Sequence, residues 1–461
     1  MGAIRAHGGP ILLDLDETLY LRNSTEDFID SARPRLLALL LMRLLDLIKP
    51  WRWTGGEVTR DVWRVRLICT CFPRTARHWR SRVAALAARF TNLRLMAALG
   101  TLGRTPIIAT VGFEPIVAPL IAALGLPGAR IIAARLSCFD DRRVGKLHLV
   151  ASALGADTIR RALVLTDSAR DLTLLDACAR PLRAIWPEAR YRHALSGVYF
   201  PGQYITLVKH PGARYIVRGV LQEDFAFWVL SSVAIAALPL WHVAGLALLL
   251  LSFWVVYELG YVDNDLVGAR FEAMPKLTQA FHDSPVATPR WQPWLWATGS
   301  AALGILCVRW PEPPSVIDAG LWAAVLLTTF GWFRLYNRMD KGTRVWLFAG
   351  LQFARSTAFV ALVPIVPSGA LALGAHVLAK WVPYHVYRLG GKAWPEAPLH
   401  LIRLMFFVVL LLMGQMVQGN ALLDASALAL LAWNLFRARQ ELATACRAAS
   451  RIDLAGGAPL P

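Results

Sequence analysis

From Phe225 onward the chain carries apolar runs long enough to cross a bilayer, and that property restricts its fold more than any other. A large soluble helical core would place charges along one face of each helix. Val243–Gly260 does not: Leu248 to Leu251 is unbroken leucine, and its one charge, Glu258, comes near the end. Eight such segments can be marked, at about 225–241, 243–260, 292–309, 316–334, 345–366, 369–386, 401–418 and 420–437. Before residue 220 the apolar runs are short and broken by Arg and Asp, so the 56% hydrophobic content is unevenly spread. An α/β soluble domain followed by an all-α polytopic membrane domain of about eight transmembrane helices is the expected architecture.

Loop charges give the expected orientation. With the N-terminus inside, inner loops carry Arg270, Lys276 and Arg290, then Arg338, Lys341 and Arg344, then Arg388 and Lys392, while the outer loops near His242, Pro367 and Gly419 carry no Lys or Arg. That asymmetry follows the positive-inside rule. The polar, Gly-rich Met1–Pro10 does not read as a signal peptide. The expectation is a multi-pass protein of the inner (cytoplasmic) membrane with both termini and the N-terminal domain in the cytoplasm. The net charge of +18 is placed between apolar segments, which points to anionic lipid as partner and not to nucleic acid. The six cysteines show no metal-ligand spacing.

The first half opens with chemistry. Ile11-Leu12-Leu13-Asp14-Leu15-Asp16-Glu17-Thr18 is an apolar run ending in two carboxylates two residues apart. It reads as a buried strand delivering acid groups to its C-terminal tip, where open parallel sheets place their sites. Alternation sets Asp14 and Asp16 on one side, able to share a cation or to divide nucleophile and acid roles. Further groups follow in order. Pro106–Gly112 is an apolar strand ending in Thr110, suited to a hydroxyl contact on phosphate; Gly145-Lys146 opens a helical stretch; Ala162–Leu165 ends in Thr166, Asp167 and, four residues further, Asp171.

With these residues together, positions 8–190 resemble the haloacid dehalogenase superfamily, in its phosphoserine-phosphatase-like branch. The resemblance implies a Rossmann-like domain over 1–195 with a helical cap at about 23–103. It implies Asp14 as nucleophile forming an aspartyl phosphate and Asp16 as general acid and then base. It further implies Thr110 and Lys146 as phosphate ligands, and Mg²⁺ held by Asp14, Asp167 and the Asp16 carbonyl, with Asp171 orienting Lys146 or completing the metal's outer sphere. Glu17 and Thr166 stand where glycine is commoner in that family, and Thr166 is expected to crowd the site slightly. The cap is apolar and basic over Leu36–Leu47, with Trp51, Trp53 and Trp63 beyond, and is expected to rest on the membrane surface or on the transmembrane domain.

Residues 196–224, where Lys209, Arg214 and Arg218 alternate with apolar residues, read as an interfacial linker, its basic side toward lipid phosphates. Past the second span, Asn264-Asp265, Glu272 and Pro275-Lys276 resemble the first Asp-rich motif of the UbiA-type intramembrane prenyltransferases. Tyr336 and Arg338, with Arg355 in the next span, give a second echo. The resemblance covers 225–440, with 441–461 as a cytoplasmic tail. The sequence departs from that family at Gly268, where an Asp belongs, and after the sixth span, where Lys380–Gly391 holds no carboxylate. Arg355, Lys380 and His385 point instead to an anionic head group. The expected function is a membrane-tethered, Mg²⁺-dependent phosphohydrolase acting on a polyprenyl-linked or related phosphomonoester, with a membrane domain binding a polyprenyl phosphate or lipid-linked sugar phosphate. The alternatives are a bifunctional prenyl or phosphoribosyl transferase with a fused phosphatase, and a non-catalytic lipid-phosphate-binding protein.

Overall fold

The structure, a computed structural model, describes residues 2–101, 105–283, 291–340, 342–390, 397–418 and 422–454. Arg290, Lys341, Lys392 and Gly419, named above for loop charge, lie outside the described residues. The chain divides into two compact units, Met1–Val198 and Tyr199–Pro461.

The first unit is built on five parallel strands: β1 (Ile11–Leu13), β2 (Ile107–Phe113), β3 (Arg130–Ala134), β4 (Leu163–Thr166) and β5 (Arg180–Arg183), in the order β3-β2-β1-β4-β5. Strands covered by helices on both faces read as continuous apolar runs, as β1 and β4 do. Leu12, Ala109, Ile132 and Val164 of four adjacent strands pack with Val150, Ile159 and Leu174 into one core layer. Strand order reverses between β1 and β4, and at such a switch the carboxyl ends of the strands diverge into a crevice.

Between β1 and β2 run the helices Ser24–Ile29, Arg35–Ile48, Arg60–Cys71, Thr75–Phe90 and Leu93–Gly100, the region expected to be the cap. Its two ends are tied together just beyond β1. Leu21 N–H donates to Phe90 (2.8 Å), Asn92 N–H to Leu19 (2.9 Å), and the Asn92 side chain to the Thr18 carbonyl (2.9 Å). The helix Arg35–Ile48 is apolar on two sides. Ala38, Leu39, Met42 and Leu45 enter the interior, while Leu37, Leu44, Leu47 and Ile48 are exposed, Leu47 to 79%.

The second unit is helical. Among the described residues three of its helices are long and apolar enough to cross a membrane: Pro239–Phe271, Val316–Arg338 and Leu399–Val417. Eight crossings are not shown. The first expected span, 225–241, is broken into a helix Ala226–Ser232 and a tight turn Val233–Ile235 before Pro239 starts the next helix. The residue before a proline is driven out of the helical region, and Leu238 (φ −125°, ψ 81°) lies outside it, so the next helix begins afresh at Pro239. The segment 345–366 likewise ends its helix at Thr357, ahead of Pro364 and Pro367. The helix Pro367–Gly390 carries Lys380 and an internal Pro383. Helices Pro239–Phe271 and Gln292–Arg309 approach closely through Gly245 and Gly304: a Cβ built on Gly245 falls 2.9 Å from the Gly304 carbonyl. Residues 199–224 are part of this unit, with Tyr199, Tyr204, Ile205 and Val208 buried. Arg214 and Arg218 are exposed.

Glu26 joins separated parts of the first unit. Its carboxylate accepts two bonds from Arg64 (2.6 and 2.9 Å), one from the Tyr191 hydroxyl (2.9 Å) and one from the Ala194 N–H (2.7 Å). Burial alone would raise this carboxyl, but the Arg64 bonds hold it below the ordinary glutamate range. Glu26→Ala leaves buried Arg64 with Asp61 (3.0 Å) as its remaining carboxylate and is expected to cost about 1–3 kcal/mol, read from denaturant unfolding. Because the folded value is depressed, this stabilisation is present above the ordinary glutamate value and is lost as pH falls through the folded one. The acid-unfolding curve of Glu26→Gln is therefore expected to be flatter than that of the natural protein.

Candidate functional site at the strand tips

Asp14 is the first residue past β1, and its N–H donates to the Leu165 carbonyl of β4 (2.9 Å), which sets it at the crevice. Its Oδ1 accepts the Leu15 N–H (2.8 Å), and its Oδ2 meets Lys146 Nζ (2.8 Å) and the Thr166 hydroxyl (2.9 Å). Lys146 also reaches Asp171 Oδ2 (2.6 Å), and Thr166 lies 2.7 Å from the same oxygen. A buried ammonium thus stands between two carboxylates, with a hydroxyl bridging them. Lys146 arrives there because Gly145 (φ 81°, ψ 176°) breaks the helix Asp140–Leu154 immediately before it. That positive φ is a conformation glycine takes at little cost.

Asp16 lies one turn on. The Ser24 N–H donates to its Oδ1 (2.8 Å) and the Ser24 hydroxyl to its Oδ2 (3.2 Å). Thr18 bonds Asp167 twice, by hydroxyl to carboxylate (3.1 Å) and by accepting its N–H (3.2 Å). Thr110 lies inside β2, two residues beyond its last pair with β1 (Leu13 with Ile108), and accepts the Gly112 N–H (3.0 Å). A Cβ built on Gly112 would fall 3.6 Å from Ser24 Oγ, so this part of β2 runs beside the Asp16 contact.

The electrostatics follow from burial. Desolvation raises the Asp14 carboxyl against the pull of Lys146. Asp16 is pushed up to about 7, chiefly by burial and against the two Ser24 bonds. Lys146 is held above the ordinary lysine range: burial opposes its charge, but Asp14 and Asp171 outweigh it. One carboxylate in this arrangement keeps a cation against it, while its neighbour can hold and release a proton near neutral pH. The two acids thus differ in their partners, a cation beside one and the Ser24 donors beside the other, although burial raises both.

The structure brings Asp14, Lys146 and Asp171 into direct contact, and sets Asp16 and Asp167 at the adjoining strand ends and Thr110 within β2. Thr166, expected as a steric intrusion, is a positioning group for two carboxylates; Thr18 stood in the motif without a role, and Ser24 was not expected at all. A hydroxyl directly after an apolar strand was the available signal for Thr166. Among the described residues no group of three or more His, Cys, Asp or Glu side chains is arranged to hold a metal ion. Of the expected ligands, Asp14 is bonded to Lys146 and Thr166 and Asp167 to Thr18; their oxygens are of the hard kind that Mg²⁺ accepts.

In the helical unit the expected constellation does not converge. Asp265 accepts from Tyr204 (2.8 Å) and Lys209 (2.5 Å), with Asn264 beside it (3.4 Å). Glu272 pairs with Arg344 (2.6 Å), Lys276 donates to Tyr387 (2.6 Å), and Tyr336 bonds Tyr384 (2.9 Å). Arg338 contacts Asp263 (3.4 Å) and His385 lies against the Trp346 and Trp381 rings. Arg355 and Lys380 gather elsewhere, around Asp224.

Lys146→Met leaves Asp14 and Asp171 facing each other without the ammonium. Its thermal midpoint is expected to fall by the equivalent of about 3–5 kcal/mol at pH 8 and by less at pH 5, where a proton can replace the missing charge. An equal loss at both pH values contradicts the assignment.

Comparison with known proteins identifies no relative: no family model, no curated protein and no solved structure matches this chain.

Proposed function

We propose that the chain is a membrane-tethered phosphohydrolase of the haloacid dehalogenase type that works through an aspartyl phosphate. The observation that carries this reading is the Asp14–Lys146–Asp171 contact at the reversal of strand order, with Asp16 held one turn away at a raised pKa. In the first step an Asp14 carboxylate oxygen attacks phosphorus, the ester P–O bond breaks, and the leaving alkoxide takes the proton of Asp16. In the second, Asp16 takes a proton from water, the resulting hydroxide displaces Asp14, and inorganic phosphate departs. Lys146 offsets part of the cost of charge on buried Asp14 and faces the negative phosphoryl oxygens, and the Thr110 hydroxyl lies on the neighbouring strand. Mg²⁺ on Asp14, Asp167 and the Asp16 carbonyl would supply charge stabilisation on the transferring group.

Three membrane-length helices and an exposed apolar cap face favour a lipid-borne substrate over a soluble one. The reading is a phosphomonoester on a polyprenyl or related lipid, acted on at the cytoplasmic face of the inner membrane, with the helical unit binding a lipid phosphate. Apolar length also accommodates the transferase alternative, but Asp265 and Glu272, already tied to Lys209 and Arg344, argue against a metal-diphosphate site on those carboxylates.

Purified protein with Mg²⁺ should release phosphate from a generic phosphomonoester, and Asp14→Asn should abolish release. Asp16→Asn should lower turnover of an alkyl phosphate by about 10²–10⁴-fold and that of an aryl phosphate, whose leaving group needs little protonation, by much less. Equal rates for Asp14→Asn and the natural protein overturn the reading.

A further inference from the structure

A second cluster of charge lies inside the helical unit. Glu223 and Asp224 belong to the π-helical segment Ile216–Phe225; Arg355 comes from Arg344–Thr357, His376 and Lys380 from Pro367–Gly390, Arg403 from Leu399–Gln418 and Arg437 from Ala425–Leu454. Asp224 is fully buried, His376 is 1% and Arg403 2% exposed.

The carboxylates are already taken. Arg355 Nε meets both oxygens of Asp224 (2.9 and 2.6 Å), and its other nitrogens donate to Tyr215 and to the Gly219 carbonyl. Arg403 pairs with Glu223 and donates to Asn434 (2.8 Å), while Arg437 donates to Glu223 (2.7 Å) and Gln222 (2.8 Å). Lys380 Nζ stands 3.5 Å and His376 Nε2 3.6 Å from Asp224 Oδ1. Those two atoms and Nη2 of Arg403 are buried without a hydrogen-bond partner among the described residues. His376 Nδ1 faces Nη1 of Arg403 (3.3 Å), an N–H that donates to it, which leaves the proton of a neutral ring on Nε2.

Charge does not balance here. Two carboxylates pair with four Lys and Arg side chains, and Glu441 acts on Arg403 from further off, so cations exceed carboxylates by one. Buried unpaired charge is expensive, and in membrane proteins such residues mark ion or substrate sites. Three unsatisfied N–H donors beside that surplus call for an acceptor-only anion. A phosphate group matches in charge and in acceptor geometry. Lys380, with 20% of its side chain exposed, connects the cluster to the surface.

We propose that Lys380, Arg403 and His376 form a binding site for a phosphate group, carried by a lipid or free, held by cations without a metal. The choice of phosphate as ligand rests on the phosphohydrolase reading; the surplus of cations does not. The site lies apart from Asn264, Asp265 and Glu272, whose partners are internal.

The test uses the full chain in neutral detergent at fixed ionic strength. Phosphorus in a lipid extract counts any anion already bound, and the thermal midpoint is followed against inorganic phosphate and against farnesyl phosphate. Co-purified phosphorus near one per chain, or a midpoint raised by either probe, is expected, with affinity about tenfold or more weaker in Lys380→Met. A response to farnesyl phosphate alone supports a lipid head group, and a response to inorganic phosphate supports a site for the group without its tail. The response should survive in Asp14→Asn and Lys146→Met, so a failed hydrolase reading leaves this proposal standing. Neither phosphorus nor a shift overturns it, as does a shift retained in Lys380→Met but lost in Lys146→Met, which belongs to the strand tips.

Discussion

The first unit depends on one buried ammonium. Lys146 lies between Asp14 and Asp171, and without it two carboxylates would face each other inside a protein core. Everything that brings those groups together is a fold-level arrangement: β1 and β4 adjacent and parallel, a reversal of strand order between them, and a helix broken at Gly145 so that Lys146 begins a new turn at the crevice. The same burial that makes the lysine necessary raises Asp16 to about 7, so a structural requirement and a chemical capacity share one cause.

Much of this could be read from residues in order. Parallel strands covered on both faces must be apolar throughout, so Ile11–Leu13 and Leu163–Leu165 stand out, and the acids after them can only lie at strand tips. Gly145 before Lys146 carried its own signal. Ser24 carried none and Thr18 stood in the motif without a role, because what each does depends on how the chain turns between β1 and the cap. Thr166 was legible as a residue at the tip but not as a bridge, since the position of Asp171 relative to it is set by the turn that follows β4.

The helical unit was less legible, for two physical reasons. Hydropathy measures how far an apolar run extends and is blind to where the backbone breaks, so 225–241 and 345–366 counted as spans although their helices end at Ser232 and Thr357. Ion pairs also join residues far apart in sequence: Asp224 to Arg355 and Glu223 to Arg403 and Arg437 are separated by 131, 180 and 214 positions. Arg355 and Lys380 read as costly cations in expected spans, yet the acid they gather around, Asp224, sat in a stretch whose basic residues suggested an interfacial strap. Asp265 and Glu272 carry the pattern of a metal site but are spent on Tyr204, Lys209 and Arg344.

The central claim is that Asp14 becomes covalently phosphorylated during turnover. Rapid acid quench of the protein with a phosphomonoester, followed by borohydride reduction and peptide mass spectrometry, reads this directly, because reduction converts an aspartyl phosphate to homoserine. The account predicts homoserine at position 14 and at no other acid of the site. Turnover of substrate with Asp14 unmodified, or with the label on Asp16, would contradict it.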